Sequence, residues 1–185
     1  MGPVQKNQST SQVTGSLPLV RRHRGFGLQI SQPPKPESVK GPGAGYDKVH
    51  VALDDTTRLA YVEVLAEEQT PTVIGFLGRA ISWFNSQGID CWQVMSDNGP
   101  ACVSKACRTL GLRHIRTRPY TPRTNGKAER FIQTLCKEWA YGMPFQNAEG
   151  RVRWLPRYLA IYNRLRTHSA LVWRSPQQRL AELLR

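Results

Sequence analysis

Two short runs between Val94 and Leu135 decide how this chain is read: V-M-S-D-N-G at 94–99 and R-P-Y-T-P-R-T-N-G-K-A-E-R-F at 118–131. The first is an apolar strand that ends on Asp97, with Gly99 allowing a tight turn beside it. The second is a loop that feeds a helix carrying Glu129 on its first turns. A strand end and a helix start both hold a side chain rigidly. Two carboxylates aimed at one point repel unless a cation lies between them, and hard divalent cations prefer oxygen ligands. Taken singly, a D-N-G is an ordinary turn and a helix glutamate an ordinary solubilising group. The cations nearby shift the balance. Arg116, Arg118, Arg123, Lys127 and Arg130 lie close in sequence to the pair and can neutralise the phosphates of duplex DNA.

The totals agree with a polyanion partner. The net charge is +13 over 185 residues, and hydrophobic residues make up 39%, enough for one domain with a core. Cys91, Cys102, Cys107 and Cys136 form no C-x-x-C pair and have no histidines at zinc spacing, which points to reduced thiols in a cytosolic protein. No apolar run approaches the ~18 residues of a membrane span.

Residues 1–45 are rich in Ser, Gln, Pro and Gly, with a basic cluster at Arg21–Arg24, and read as a disordered tail. One scrap within it, Phe26–Ser31, alternates apolar and polar like a short strand. The folded part is expected over 46–185. K-V-H-V-A-L-D at 48–54 and L-A-Y-V-E-V-L at 59–65 predict an antiparallel hairpin. Thr70-Pro71 opens a helix whose apolar face is Val73, Phe76, Leu77, Ala80, Ile81 and Phe84, and Gly88 stops it. A strand at 91–95, a short basic helix at 104–110 and a strand at 112–118 follow. A long helix at 127–141 carries Phe131, Leu135 and Trp139 on one stripe, and helices at 152–165 and 176–184 close the chain. The order is that of an α/β fold with a mixed sheet.

The motifs at 94–99 and 110–135, with W-L-P-R-Y-L-A-I-Y-N-R-L-R-T-H-S-A-L and S-P-Q-Q-R-L near the end, resemble the integrase core of bacterial insertion-sequence transposases. The resemblance runs from about Gly45 to Arg185. It implies a ribonuclease-H-like mixed sheet flanked by helices, and a DDE polynucleotidyl transferase that uses Mg²⁺ or Mn²⁺ to cleave and join DNA strands in transposition and integration. By the motif, Asp97 and Glu129 are the second and third metal-binding carboxylates. The resemblance also implies duplex DNA and further copies of the chain as partners, and a bacterial cytoplasmic, nucleoid-associated location with no membrane.

Three departures qualify that picture. The family's first aspartate lies on a strand ahead of the hairpin, yet no aspartate occurs between Met1 and Tyr46; the only acid there is Glu37. The first central strand is therefore expected to be missing or degenerate, with the N-terminus truncated. Asp54 is the nearest substitute, though its place in V-A-L-D-D-T-T-R marks it as a turn residue. The 31 residues between Asp97 and Glu129 fall short of the family's usual spacing by about one helical turn of ~3.6 residues. Finally, no helix-turn-helix pattern precedes Tyr46. The alternative function is a catalytically dead remnant that binds DNA or a full-length transposase. Tyr162, Asn163 and His168 are candidates for bonding DNA or orienting the acidic site, with packing and surface solvation as the alternatives. Trp83, Trp92, Trp139 and Trp154 are expected in the core and Trp173 partly exposed.

Overall fold

A computed structural model describes residues 23–24, 28–31, 48–67, 69–96, 101–116, 126–142, 144–145 and 147–185. The strands are β1 (His23–Arg24), β2 (Leu28–Ser31), β3 (Lys48–Asp54), β4 (Ala60–Leu65), β5 (Ile89–Asp90), β6 (Gln93–Ser96) and β7 (Arg113–Arg116). The helices are α1 (Thr70–Ser86), α2 (Ala101–Thr109), α3 (Gly126–Leu135), α4 (Ala148–Arg164) and α5 (Pro176–Leu183).

Five strands form one mixed sheet in the order β4-β3-β2-β6-β7. β3 pairs antiparallel with both β4 and β2, while β6 runs parallel to β2 and to β7. The alternating scrap near residue 30 is thus the central strand, L-Q-I-S, and it carries no carboxylate. β1 and β2 lie within the 1–45 stretch that composition reads as tail. β1 pairs in parallel with β5 in a separate two-stranded ribbon.

Helices cover both faces. Alternation along β3 sends Ala52 to one cluster, with Phe76, Phe84, Val94 and Ala106, under α1 and α2. Val49, Val51 and Leu53 go to the other, with Phe131, Leu135, Trp139 and Tyr162, under α3 and α4. The stripe expected on the long helix is fully buried, but the helix is not uniform. After Leu135 it widens into a π turn at Cys136–Ala140, and Trp139 Nε1 donates to the Arg151 carbonyl at 3.0 Å. Just past that turn, position 142 has no room for a side chain: an added Cβ would lie 2.4 Å from the Lys137 carbonyl oxygen. Local caps fix the last helices. Asn147 accepts from Gly150 N at 2.7 Å, and Ser175 with Gln178 forms a capping box.

The short spacing between Asp97 and Glu129 is absorbed without disturbing the sheet. α2 keeps nine residues, Gly111 takes a left-handed φ of 67°, and β7 holds its register with β6 from Arg113 to Arg116. Trp92 and Trp154, expected in the core, are 39% and 40% exposed.

Candidate metal and nucleic-acid site

β6 ends at Ser96, one residue before Asp97 in the sequence; Asp97, Arg118 and Arg123 lie outside the described residues. What holds the end of β6 is plain. Ser96 is buried, and its hydroxyl lies 2.8 Å from His114 Nε2 on β7. The other ring nitrogen, Nδ1, lies 2.9 Å from the Ser104 hydroxyl on α2, which also accepts from Arg116 Nη2 at 2.8 Å. A chain of Ser96, His114, Ser104 and Arg116 therefore ties β6, β7 and α2 together. Burial, with the charge of Arg116 beside it, holds the His114 pKa below its ordinary value, so the ring is neutral at neutral pH. His114 lies in the strand expected at 112–118; its partners sit 10 and 18 residues away, and it takes the pairing of β6 with β7 and the packing of α2 on β7 to bring them together.

Glu129 lies on the first turn of α3 and is exposed. Ala128, Phe131, Ile132 and Leu135 are buried, so packing fixes the face on which Glu129 stands. An acid there also complements the positive end of the helix dipole. Lys127 is engaged: its Nζ lies 2.7 Å from Asp55 Oδ2 and 3.2 Å from the Asp55 carbonyl oxygen. At 100° per residue Glu129 points roughly 200° around the axis from Lys127. Arg130 on α3 and Arg116 on β7 are both exposed.

Asp54 is elsewhere. It stands opposite Leu28, which pairs with Val94, whereas Ser96 pairs with Ile30. Those two strand positions correspond to roughly 7 Å along the sheet. Its Oδ2 accepts from Thr57 N at 2.7 Å and from Thr57 Oγ1 at 2.6 Å, closing the β3–β4 turn. Oδ1 is buried, with no partner among the described residues. Oδ2 is thus committed to the β3–β4 turn. Among the described residues no three His, Cys, Asp or Glu gather as a metal cluster.

Within Y-N-R-L-R-T-H, Tyr162, Asn163 and His168 are structural. Asn163 is buried in α4 and grips the edge strand, its Oδ1 accepting from Ala60 N and its Nδ2 donating to Ala60 O, both at 2.9 Å. Tyr162 packs edge-on against Phe131 and His168. Burial pushes the Tyr162 hydroxyl up and the His168 ring down in pKa. Cys91, Cys107 and Cys136 are free thiols; burial pushes Cys107 to about 11 and, with the Asp54 charge nearby, Cys91 to about 12.

A five-stranded mixed sheet in this order, with helices on both faces, is the ribonuclease-H-like fold. Models of the integrase core domain match residues 38–122 and 110–176, and the chain belongs to that family. An uncharacterized protein of insertion element IS136 from Agrobacterium fabrum is 31% identical over 88 residues, 45% of each chain. The InsD transposase of insertion element IS2 from Escherichia coli is 30% identical over 92 residues, 48% of this chain and 31% of that one. The chain spans under half the length of these curated relatives. Among solved structures, the catalytic core of BIV integrase aligns with a TM-score of 0.58 at 20% identity, over 84% of this chain and 93% of that one. The HTLV-2 integrase catalytic core, solved in complex with magnesium, aligns at 0.56 and 20%, over 85% and 96%. At these identities the likeness establishes the fold. No described helix is long and apolar enough to cross a membrane.

Proposed function

We propose that this chain is the core of a transposase-type enzyme acting on duplex DNA, with Asp97 and Glu129 as the carboxylates that hold a divalent cation. The observation that carries the reading is the sheet order, which sets β6 beside a central strand and lays α3, with Glu129, over β2 and β3. A divalent ion held there would polarise the scissile phosphate and acidify the attacking hydroxyl. The protein's own share is positional. The Ser96–His114–Ser104 chain fixes the strand end that precedes Asp97, and the buried stripe of α3 sets the direction of Glu129. Arg116 and Arg130 supply phosphate contacts that position the duplex without reading its sequence. Active multimers would form on DNA.

A second reading has its own support. The central strand reads Leu28-Gln-Ile-Ser31 and brings no acid. With only two carboxylates the cation is held more weakly, and strand transfer slows by several orders of magnitude. DNA binding then outlasts catalysis. One experiment separates the two: Mn²⁺-dependent nicking of supercoiled plasmid by the chain and by its Ser31→Asp variant. Position 31 is the last of the central strand β2 and pairs with Val51 of β3. The two-carboxylate account predicts near-background nicking that rises in Ser31→Asp and vanishes again when Asp97→Ala is added. Robust nicking by the unaltered chain, lost in Asp97→Ala, would establish full catalysis with two acids. No duplex binding at low salt would refute both readings.

A further inference from the structure

The exposed side of α4 carries two parallel rows that the site above does not use. With 100° per residue, Arg153, Arg157 and Arg164 fall within about 40° of one another and span about 16 Å of helix. Trp154, Ile161 and Leu165 form a second row beside them. All six are exposed, with Trp154 at 40%, Ile161 at 47% and Leu165 at 71%. The Arg157 guanidinium carbon sits 4.9 Å from the Trp154 ring centroid, which holds the arginine and the indole in a fixed relation. Glu149 is the only acid in α4, and its pair with Arg153 at 3.0 Å is largely exposed to solvent, so the pair opens at little cost. An open cavity of about 320 Å³ adjoins the start of this face, lined by Phe145, Asn147, Arg153 and Trp154 among others.

We infer that this face of α4 binds an unpaired DNA strand, its phosphates along the arginine row and its bases against the Trp154, Ile161 and Leu165 row. The chemistry favours that occupant. A cationic track beside an aromatic and apolar one is how proteins hold single strands, because every base has an apolar face and every nucleotide a phosphate. A duplex turns its bases inward and leaves the apolar row without a partner. A second copy meeting this face across a two-fold axis would set arginine against arginine. The length of the rows holds about five nucleotides at a ~3.4 Å stacked rise. This rests on the reading of the chain as a DNA-acting core, and places on it a second contact apart from Asp97 and Glu129.

The test is fluorescence anisotropy of the full chain with a labelled 20-nucleotide single strand and a labelled duplex of equal length, across a salt series. Three variants are compared: Arg153→Gln/Arg157→Gln/Arg164→Gln, Trp154→Ala, and an equal charge loss elsewhere, Arg79→Gln/Arg108→Gln/Arg185→Gln. The α4 triple variant is expected to flatten the single-strand log K–log salt slope by about 2, at ~0.7 per phosphate contact. Trp154→Ala is expected to weaken single-strand binding about 5- to 100-fold and duplex binding little. The control triple should change both ligands alike and far less. Equal loss on duplex and single strand in the α4 variants, or no change in either, overturns the inference. Loss of self-association with an unchanged salt slope also overturns it and assigns the face to a second copy. Failure of the unaltered chain to bind duplex at all refutes the underlying functional reading instead, and leaves the single-strand measurement standing by itself.

Discussion

Replacing Asn163 with alanine should be the most damaging small change in the chain. Ala60 lies on β4, the edge of the sheet, opposite Leu53 in the antiparallel pair with β3. Its N–H and C=O both turn outward to the Asn163 amide, each at 2.9 Å, and the contact is buried. Asn163 therefore acts as a one-residue strand partner that pins α4 to the sheet over 103 residues of sequence. Alanine leaves one donor and one acceptor without partners in a dry place. Each such group costs about 1–3 kcal/mol, so the loss is about 2–6 kcal/mol. Against a domain stability of about 5–15 kcal/mol that is a large share. Urea unfolding followed by far-UV dichroism is the assay. At about 2 kcal/mol per molar urea the midpoint should fall by about 1–3 M with little change in slope. Asn163→Asp should fall as well, since a second carboxylate oxygen then faces the Ala60 carbonyl. Leu165→Ala, 71% exposed two residues on, should scarcely move the midpoint. A shift under about 0.3 M for Asn163→Ala would refute the reasoning and return the motif to a surface role.

Val172 and Trp173 have φ of 55° and 59° in the turn between His168 and Arg174, a conformation that favours glycine. Val172 is 72% exposed, so Val172→Gly relieves strain without losing packing and should stabilise by about 1 kcal/mol, seen as a higher melting temperature; a lower one contradicts the strain. Asp54→Ala removes both bonds to Thr57 and should destabilise by about 1–3 kcal/mol while divalent-ion binding stays unchanged; weakened ion binding would return Asp54 to the metal site. His114 and His168 both have folded-state pKa values below the ordinary 6.5. The unfolded chain therefore takes up protons first as pH falls, and stability is full above about 6.5 and drops as pH falls through the depressed folded values. Urea midpoints measured from pH 7.5 to 5.5 should decline, less steeply in His114→Gln; a rise on acidification would contradict the neutral rings.

Much of this was legible in the sequence because local pattern and tertiary need agree. The 48–65 hairpin, the face of α1 and the Phe131–Leu135–Trp139 stripe all follow from period and burial. The alternation at 26–31 gave the central strand its only trace, since four residues in a Pro- and Gly-rich surround carry little signal. What stayed hidden depends on partners far apart in sequence. Nothing near Asn163 announces Ala60, and nothing near His114 announces Ser96. The exposure of Trp154 could not be seen either, because indole is apolar by composition and only the neighbours of α4 decide whether it is covered. Asp54 was legible in both senses: D-D-T-T-R marked a turn, and a turn is what its carboxylate holds.

The account stands on residues 97 and 129 sharing one cation. Titration of the chain with Mn²⁺, read by the loss of the free-ion electron paramagnetic resonance signal, measures that sharing without any need for activity. One weakly held ion is predicted, lost in Asp97→Ala and equally in Glu129→Ala, with both variants melting as the parent does in the absence of metal. Binding that either substitution leaves intact would contradict the shared site.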